Sequence, residues 1–239
     1  MTRSDGRLPN KVRPIKITRN FIKYAEGSVL IEAGQTKIIC TASVEDRVPQ
    51  HLQGTGTGWI TAEYSMIPRA GQERSARNKL STGGRSMEIR RLIGRSLRSI
   101  TDLSLLGEKT VVLDCDVIQA DGGTRTTSIN GSFIALNDAL KSLLRTGKIS
   151  GWPIKDYVSA ISVGKVDEHI LLDLCYEEDV RADVDLNVVM TAAHQFVEIQ
   201  GTGEEATFSY EDLDKMLKCA DKGIREIIEI QKKIIGKLG

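Results

Sequence analysis

Apolar and β-branched residues dominate the runs at 28–33 and 36–44, the pattern of β-strands, and the Gly34-Gln35 pair between these runs predicts a β-hairpin. A further strand is predicted at 58–66. Residues 68–84 show no apolar period and predict a long exposed loop. Met87, Ile89, Leu92, Ile93, Leu97 and Ile100 then recur at helical spacing, while Arg90, Arg91, Arg95 and Arg98 fall mostly elsewhere on the turn. This is the pattern of an amphipathic helix with an arginine flank. A near-continuous apolar run at 110–118, broken only by Asp114 and Asp116, predicts a strand. The Asp121-Gly122-Gly123-Thr124-Arg125 turn leads from it into a helical pattern that runs to about Leu144. Strands are predicted again at 158–166, 170–174, 184–191 and 195–200, before a long helix from about Tyr210, where Ser209 and Asp212 resemble a capping box.

Several hairpin strands followed by a helix therefore occur at both ends of the chain. This predicts a single α+β unit spanning 1–239, made of two similar halves that join near 145–155, at Gly151-Trp152-Pro153. With 239 residues, 40% of them hydrophobic, the chain has apolar material for a core without disulfides or a structural metal. Cys40, Cys115, Cys175 and Cys219 form no CxxC pair and lie among apolar neighbours, so reduced, buried thiols are expected. Residues 1–20 are basic but lack an apolar targeting core, and no apolar run reaches membrane-spanning length. A soluble, cytoplasmic protein without a membrane partner is the expectation.

The net charge of +1 excludes a polyelectrolyte or a uniformly basic nucleic-acid coat, but the charges are segregated. Between Arg69 and Arg98, eight arginines and Lys79 stand against Glu73 and Glu88, a local net of +7. Between Asp167 and Asp185, eight acids stand against Arg181, a local net of −7. Such blocks suit a polyanion at one and a cation at the other, or two solvated surfaces.

Three constellations could carry chemistry. The glycines of Gly122-Gly123-Thr124-Arg125 let a backbone approach an oxyanion, the following helix N-terminus offers unpaired N–H groups, and Arg125 adds a forked cation. No Gly-Lys-Ser/Thr ending follows, so inorganic phosphate suits the turn better than a nucleoside triphosphate. Asp183, Asp185 and Asn187 alternate along a strand with Asp179 just upstream, which suits a shared Mg²⁺, a general acid or simply a solvated acidic edge strand. Arg69, Arg74 and Arg77 lie in the predicted loop with no aromatic among them, which points to phosphate contact rather than base stacking, and Arg85 opens the next helix where an anion is favoured. Gly54-Thr55-Gly56-Thr57-Gly58 leads into a strand-like run, so it reads as a loop and not as a dinucleotide fingerprint. An anion cradle together with an acidic cluster is what phosphoryl chemistry on an RNA requires.

The segments Gly83-Gly84-Arg85-Ser86-Met87-Glu88-Ile89, Leu113-Asp114-Cys115-Asp116-Val117, Gln119-Ala120-Asp121-Gly122-Gly123-Thr124-Arg125-Thr126 and Asp185-Leu186-Asn187-Val188-Val189-Met190-Thr191 closely resemble the bacterial ribonuclease PH family. The resemblance runs from Arg3-Ser4-Asp5-Gly6-Arg7 to Gln200-Gly201-Thr202 and covers nearly the whole chain. It implies the ribosomal protein S5 domain 2-like fold and a phosphorolytic 3′-to-5′ exoribonuclease that trims tRNA precursor 3′ ends, with other RNA 3′ ends as further substrates. Inorganic phosphate would be the co-substrate and nucleoside diphosphates the products. It also implies phosphate binding at Arg85, Gly123, Thr124 and Arg125, catalytic and Mg²⁺-binding carboxylates at Asp179 and Asp185, and a homohexamer built as a trimer of dimers. Arg69, Arg74 and Arg77 would then track the RNA. The rival expectations are an RNA-binding ring subunit without catalysis and a two-metal hydrolytic nuclease.

Overall fold

The structure of the protein, a computed structural model, describes residues 3–76, 83–203 and 206–238. Two β-sheets lie on either side of a central helix. The first has the order β1 (Ile15–Arg19), β2 (Gly27–Ala33), β3 (Thr36–Glu45), β5 (Thr110–Gln119), β4 (Trp59–Met66). Its pairs are antiparallel except β4 with β5, which run parallel because α1 (Gly84–Ser99) carries the chain back between them. The second sheet, all antiparallel, has the order β7 (His169–Leu172), β6 (Val158–Val166), β8 (Val184–Thr191), β9 (Phe196–Gly203). α2 (Thr124–Arg145) packs on β2, β3 and β6, α4 (Tyr210–Ile235) packs on β6, and the short α3 (Tyr176–Arg181) lies between β7 and β8 in the chain. Among the described residues, no helix is long and apolar enough to cross a membrane.

The hairpin forms as its sequence predicts: Ala33 pairs with Thr36, and Gly34 takes the left-handed φ of +57° that the tight turn needs. The predicted strands at 158–166 and 184–191 and the helix from Tyr210 are also found, and Ser209 and Asp212 bond reciprocally as a capping box. Gly54 and Gly56 lie in a loop with positive φ before β4, not in a strand-to-helix turn.

Four features depart from the sequence pattern. β1 was not apparent, because only Ile15 and Ile17 of its five residues are apolar and it lies on the sheet edge. The strand predicted at 170–174 stops at Leu172, since Asp173 turns to a φ of +55° and its carboxylate binds the buried Arg13. α3 is too short to show a period. The solvated acidic edge is excluded: β8 sits between β6 and β9, so Asp185 and Asn187 belong to an interior strand.

α2 is buried from Thr126 to Leu140 although six of those positions are Thr, Ser or Asn and one is Asp138. It survives there because sheets cover it on both sides and several of its polar groups, Thr126, Asn130, Ser132 and the Asn137 amide nitrogen among them, find partners, although Ser128 Oγ and Asn137 Oδ1 do not. β7 pairs only with residues 163–166 of β6, and Asn130 takes over the ladder beyond: its amide donates to the Ala160 carbonyl at 2.9 Å and its oxygen accepts the Ala160 N–H at 2.9 Å. Phe133, Ile129 and Ile134 fill the layers between, with Ile31, Ile38 and Ile161.

The approach of β2 to this helix is backbone on backbone. A Cβ at Gly27 would lie 1.9 Å from the Ala135 carbonyl oxygen, whereas one at Gly71 would meet nothing within 4 Å. We therefore expect Gly27→Ala to cost about 2 kcal/mol or more in urea unfolding, because helix and strand must separate, and Gly71→Ala to stay within about 0.5 kcal/mol of wild type.

Candidate active site

Two helices begin beside one another without side-chain caps. Gly83 precedes α1, and Gly123, left-handed at φ +62°, precedes α2. Each leaves N–H groups facing outward, and the first residues carry Arg85, Thr124 and Arg125. Opposite them, β6 supplies Ser162, α3 supplies Asp179, and β8 supplies Asp185 and Asn187. These groups line a polar recess of about 100 Å³, well below the few hundred Å³ that enclose a nucleotide-sized ligand and suited to an ion such as phosphate. All six residues expected to bind phosphate or act as catalytic carboxylates therefore meet in one place.

The arginines expected to follow RNA lie elsewhere. Arg69 and Arg74 are exposed in the segment after β4 and do not line the recess. That segment is anchored through the Ala120 N–H on the Ala70 carbonyl and the Ser75 N–H on the Pro68 carbonyl. Arg77 lies outside the described residues.

The electrostatics divide the recess. Arg125 donates from Nη1 to Gln200 Oε1 at 3.0 Å and sits 3.4 Å from Glu88 Oε1, so its fork is steered by β9 and α1. Asn187 donates to Asp185 Oδ2 at 3.3 Å. Tyr64, buried beneath the turn, donates its hydroxyl to Thr124 Oγ1 at 2.9 Å. Burial pushes the phenol's pKa above its ordinary value despite that bond and the nearby Arg85, so it stays a neutral donor.

The sequence reading missed the groups that bring these two walls together. Arg13 donates to both Asp173 oxygens, at 2.7 Å and 3.1 Å, and to the Asp121 carbonyl at 2.6 Å. Asp121 accepts the Tyr176 N–H at 3.2 Å, and Thr36 Oγ1 donates to the Gly122 carbonyl at 2.7 Å. Arg3 forks onto Glu178, next to Asp179, at 2.7 and 2.6 Å, and Glu178 also accepts the Cys175 N–H. Their one signal in the sequence was an N-terminal segment unusually rich in arginine for residues outside any predicted element.

Among the described residues, no group of three or more His, Cys, Asp or Glu side chains could hold a metal ion. The donors that do converge are two carboxylates with an amide and a hydroxyl, all hard oxygen-bearing groups. That set fits Mg²⁺, which binds through one or two carboxylates and keeps several waters, and it does not fit a zinc cage.

This architecture belongs to a defined class. The 3′ exoribonuclease family, domain 1, matches residues 11–141, and the 3′ exoribonuclease family, domain 2, matches residues 156–223. The chain belongs to this family, the RNase PH family, and has its α+β, ribosomal protein S5 domain 2-like fold. Solved structures share the fold across nearly the whole chain. Rice (Oryza sativa) Rrp46 is 20% identical, with a TM-score of 0.79 over 98% of this chain and 100% of that one. A chain of the Archaeoglobus fulgidus exosome with RNA bound to the active site is 23% identical, with a TM-score of 0.81 over 96% and 92%. A chain of an archaeal exosome core is 23% identical, with a TM-score of 0.78 over 97% and 90%.

The Arg3–Glu178 pair makes the carboxylate wall sensitive to acid. Burial pushes the Glu178 carboxyl up, but the Arg3 fork and the Cys175 amide more than reverse this and hold it below its ordinary value. A carboxylate with a lowered folded-state pKa stabilises the fold above its unfolded pKa and loses that contribution as pH falls through the folded one. We expect Glu178→Gln to lose roughly 3 kcal/mol at pH 7, since Arg3 is left buried without a counter-charge. The wild-type and variant stability curves should converge as the pH drops below the ordinary glutamate range in denaturant titrations.

Proposed function

We propose that this protein is a phosphorolytic 3′-to-5′ exoribonuclease that trims tRNA precursor 3′ ends and other RNA 3′ ends. It would transfer the terminal nucleotide to inorganic phosphate and release a nucleoside diphosphate. The observation that carries this reading is the convergence of Arg85, Arg125 and two uncapped helix N-termini with Asp179 and Asp185 around one phosphate-sized recess. Membership of a 3′ exoribonuclease family and likeness to an exosome with RNA bound to the active site support it. In the same reading it works in the cytoplasm as a homohexamer, a trimer of dimers.

The residues divide the work by charge. Arg85, Arg125 and the N–H groups at Gly123 and Thr124 hold phosphate, offset its repulsion from the RNA backbone and fix one oxygen for in-line attack on the terminal phosphodiester. The bond to the 3′ oxygen of the penultimate nucleotide breaks, and that oxygen gains a proton. Asp179 and Asp185 would hold Mg²⁺, which supplies neutralisation of charge on the phosphoryl oxygens. If one of the two is instead a protonated carboxylic acid, it would give its proton to the leaving 3′ oxygen and become the carboxylate. Arg69, Arg74 and Arg77 would follow the RNA strand outside the recess through its phosphates, which makes their contribution salt-dependent.

The test is to incubate the protein and Mg²⁺ with a tRNA bearing extra 3′ nucleotides, with and without phosphate, and to identify the nucleotides released. Diphosphates formed only with phosphate are expected. Monophosphates formed without it would replace the reading by hydrolysis, and binding without cleavage would leave a structural RNA-binding subunit. Asp185→Ala should lower turnover by at least about a thousandfold, in the range of losing a principal transition-state contact, while filter-binding affinity for RNA stays near wild type. Arg125→Ala should shift the phosphate concentration for half-maximal rate upward by about tenfold or more, the effect of one lost charge-assisted contact.

A further inference from the structure

The two walls of the recess come from different sheets, and nothing covalent holds their spacing. The cationic wall ends in the Asp121-Gly122-Gly123 turn, and the acidic wall begins at Asp173, three residues before α3. The walls touch through backbone: a Cβ at Gly122 would lie 2.6 Å from the Leu174 carbonyl oxygen and 2.9 Å from the Tyr176 nitrogen. Contact this close fixes the spacing only if both strands of the joint are pinned.

One side chain pins both. The Arg13 guanidinium, with its side chain 2% exposed, sits at the joint. Nε and Nη2 take the two oxygens of Asp173, and Nη1 takes the Asp121 carbonyl at 2.6 Å. Its own N–H adds a further bond to Asp173 Oδ2 at 2.7 Å. Nη2 also lies 2.7 Å from where a Cβ of Gly123 would be, so the guanidinium plane supports the left-handed residue that starts α2. On the other side, the bonds to Asp173 hold it at φ +55°, a conformation unfavourable for a non-glycine residue, and so set the direction in which the chain enters α3 and reaches Asp179.

We propose that Arg13 is a positioning residue that sets the separation between the phosphate-binding turn and the Asp179 carboxylate. This rests on reading the recess as the phosphate site. Arg13 touches no substrate in this role; it acts through Asp121, Gly123 and Asp173. Lysine retains the charge but gathers its donors on a single nitrogen, so it cannot reproduce the planar fork that spans both Asp173 oxygens and the Asp121 carbonyl. A purely structural ion pair would lose stability in that exchange without altering how phosphate is used.

The experiment compares Arg13→Lys with Arg19→Lys. Arg19 forks onto Asp138 at 2.9 and 2.6 Å, joining β1 to α2 away from the recess, and serves as a control for loss of a fork. Phosphorolysis is measured against phosphate concentration well below each melting temperature, RNA binding by filter assay, and phosphate binding by the rise in melting temperature it produces. Arg13→Lys should lose about ten- to a hundredfold in kcat/KM for phosphate, the scale of an ångström-level misplacement, with a smaller phosphate-induced rise in melting temperature and RNA affinity within about twofold of wild type. Arg19→Lys should keep wild-type phosphate kinetics. Wild-type phosphate dependence in Arg13→Lys, or an equal loss in Arg19→Lys, would overturn the proposal. If Arg13→Lys does not fold, Asp173→Asn, which keeps the size of the side chain but removes the charge that the Arg13 fork binds, is held to the same outcomes. Should the wild type release no diphosphates, the functional reading falls by itself. The melting-temperature comparison then decides the role of Arg13: a phosphate-induced rise that Arg13→Lys loses supports it, while equal rises, or none in the wild type, overturn it.

Discussion

A guanidinium and a carboxylate removed from water must find each other, and the Arg13–Asp173 pair makes that requirement the joint of the molecule. Either partner buried alone would be strongly destabilising, so the N-terminal segment has to lie against the end of β7. Once it does, the strand ends at Leu172, Asp173 turns left-handed, and the chain is free to form α3. Arg3 repeats the logic by meeting Glu178, five residues beyond Asp173, and it donates to the Leu172 and Asp173 carbonyls as well. An N-terminal segment without regular structure thereby determines the shape of a loop about 170 residues away.

The central helix imposes a second constraint. α2 lies between two sheets and cannot turn a polar face to water, yet its sequence is rich in Thr, Ser and Asn. Asn130 is accommodated by standing in for a missing backbone partner at Ala160, and Ser132 by pairing with Cys115. The result is a rigid support whose N-terminus is fixed in place at the recess. An anion site made from helix N–H groups needs such rigidity, because its dipoles must be oriented before the charge arrives.

The candidate site is built from opposite charges that the chain keeps far apart in sequence. Arg85 and Arg125 belong to the half formed by the first sheet, and Asp179 and Asp185 to the half formed by the second. Bringing them to one recess places cations next to carboxylates. Arg125 is restrained by Gln200, a neutral acceptor, and more distantly by Glu88, which orients the fork. The recess is accordingly polar and narrow, of a size that suits a small anion.

Periodicity alone was sufficient for most of the hairpin strands, the arginine-flanked helix, the glycine turn before α2 and the long final helix, because each is a local pattern with a local cause. The anion cradle was legible for the same reason: glycine, helix start and arginine are consecutive in the chain. The acidic strand was visible as alternation, but its neighbours were not, and only the sheet order showed that β8 is interior. β1 and α3 escaped because they are short and half-polar and are held by partners distant in sequence. The Arg13 and Arg3 contacts escaped entirely, since an arginine in a loop is ordinarily a solvated surface charge and becomes a fixed buried one only when the tertiary fold supplies its carboxylate. The sequence by itself thus determined which groups could do the chemistry, and only the tertiary structure decided how far apart they stand, because that spacing is set by ion pairs and backbone contacts between segments that share no local pattern.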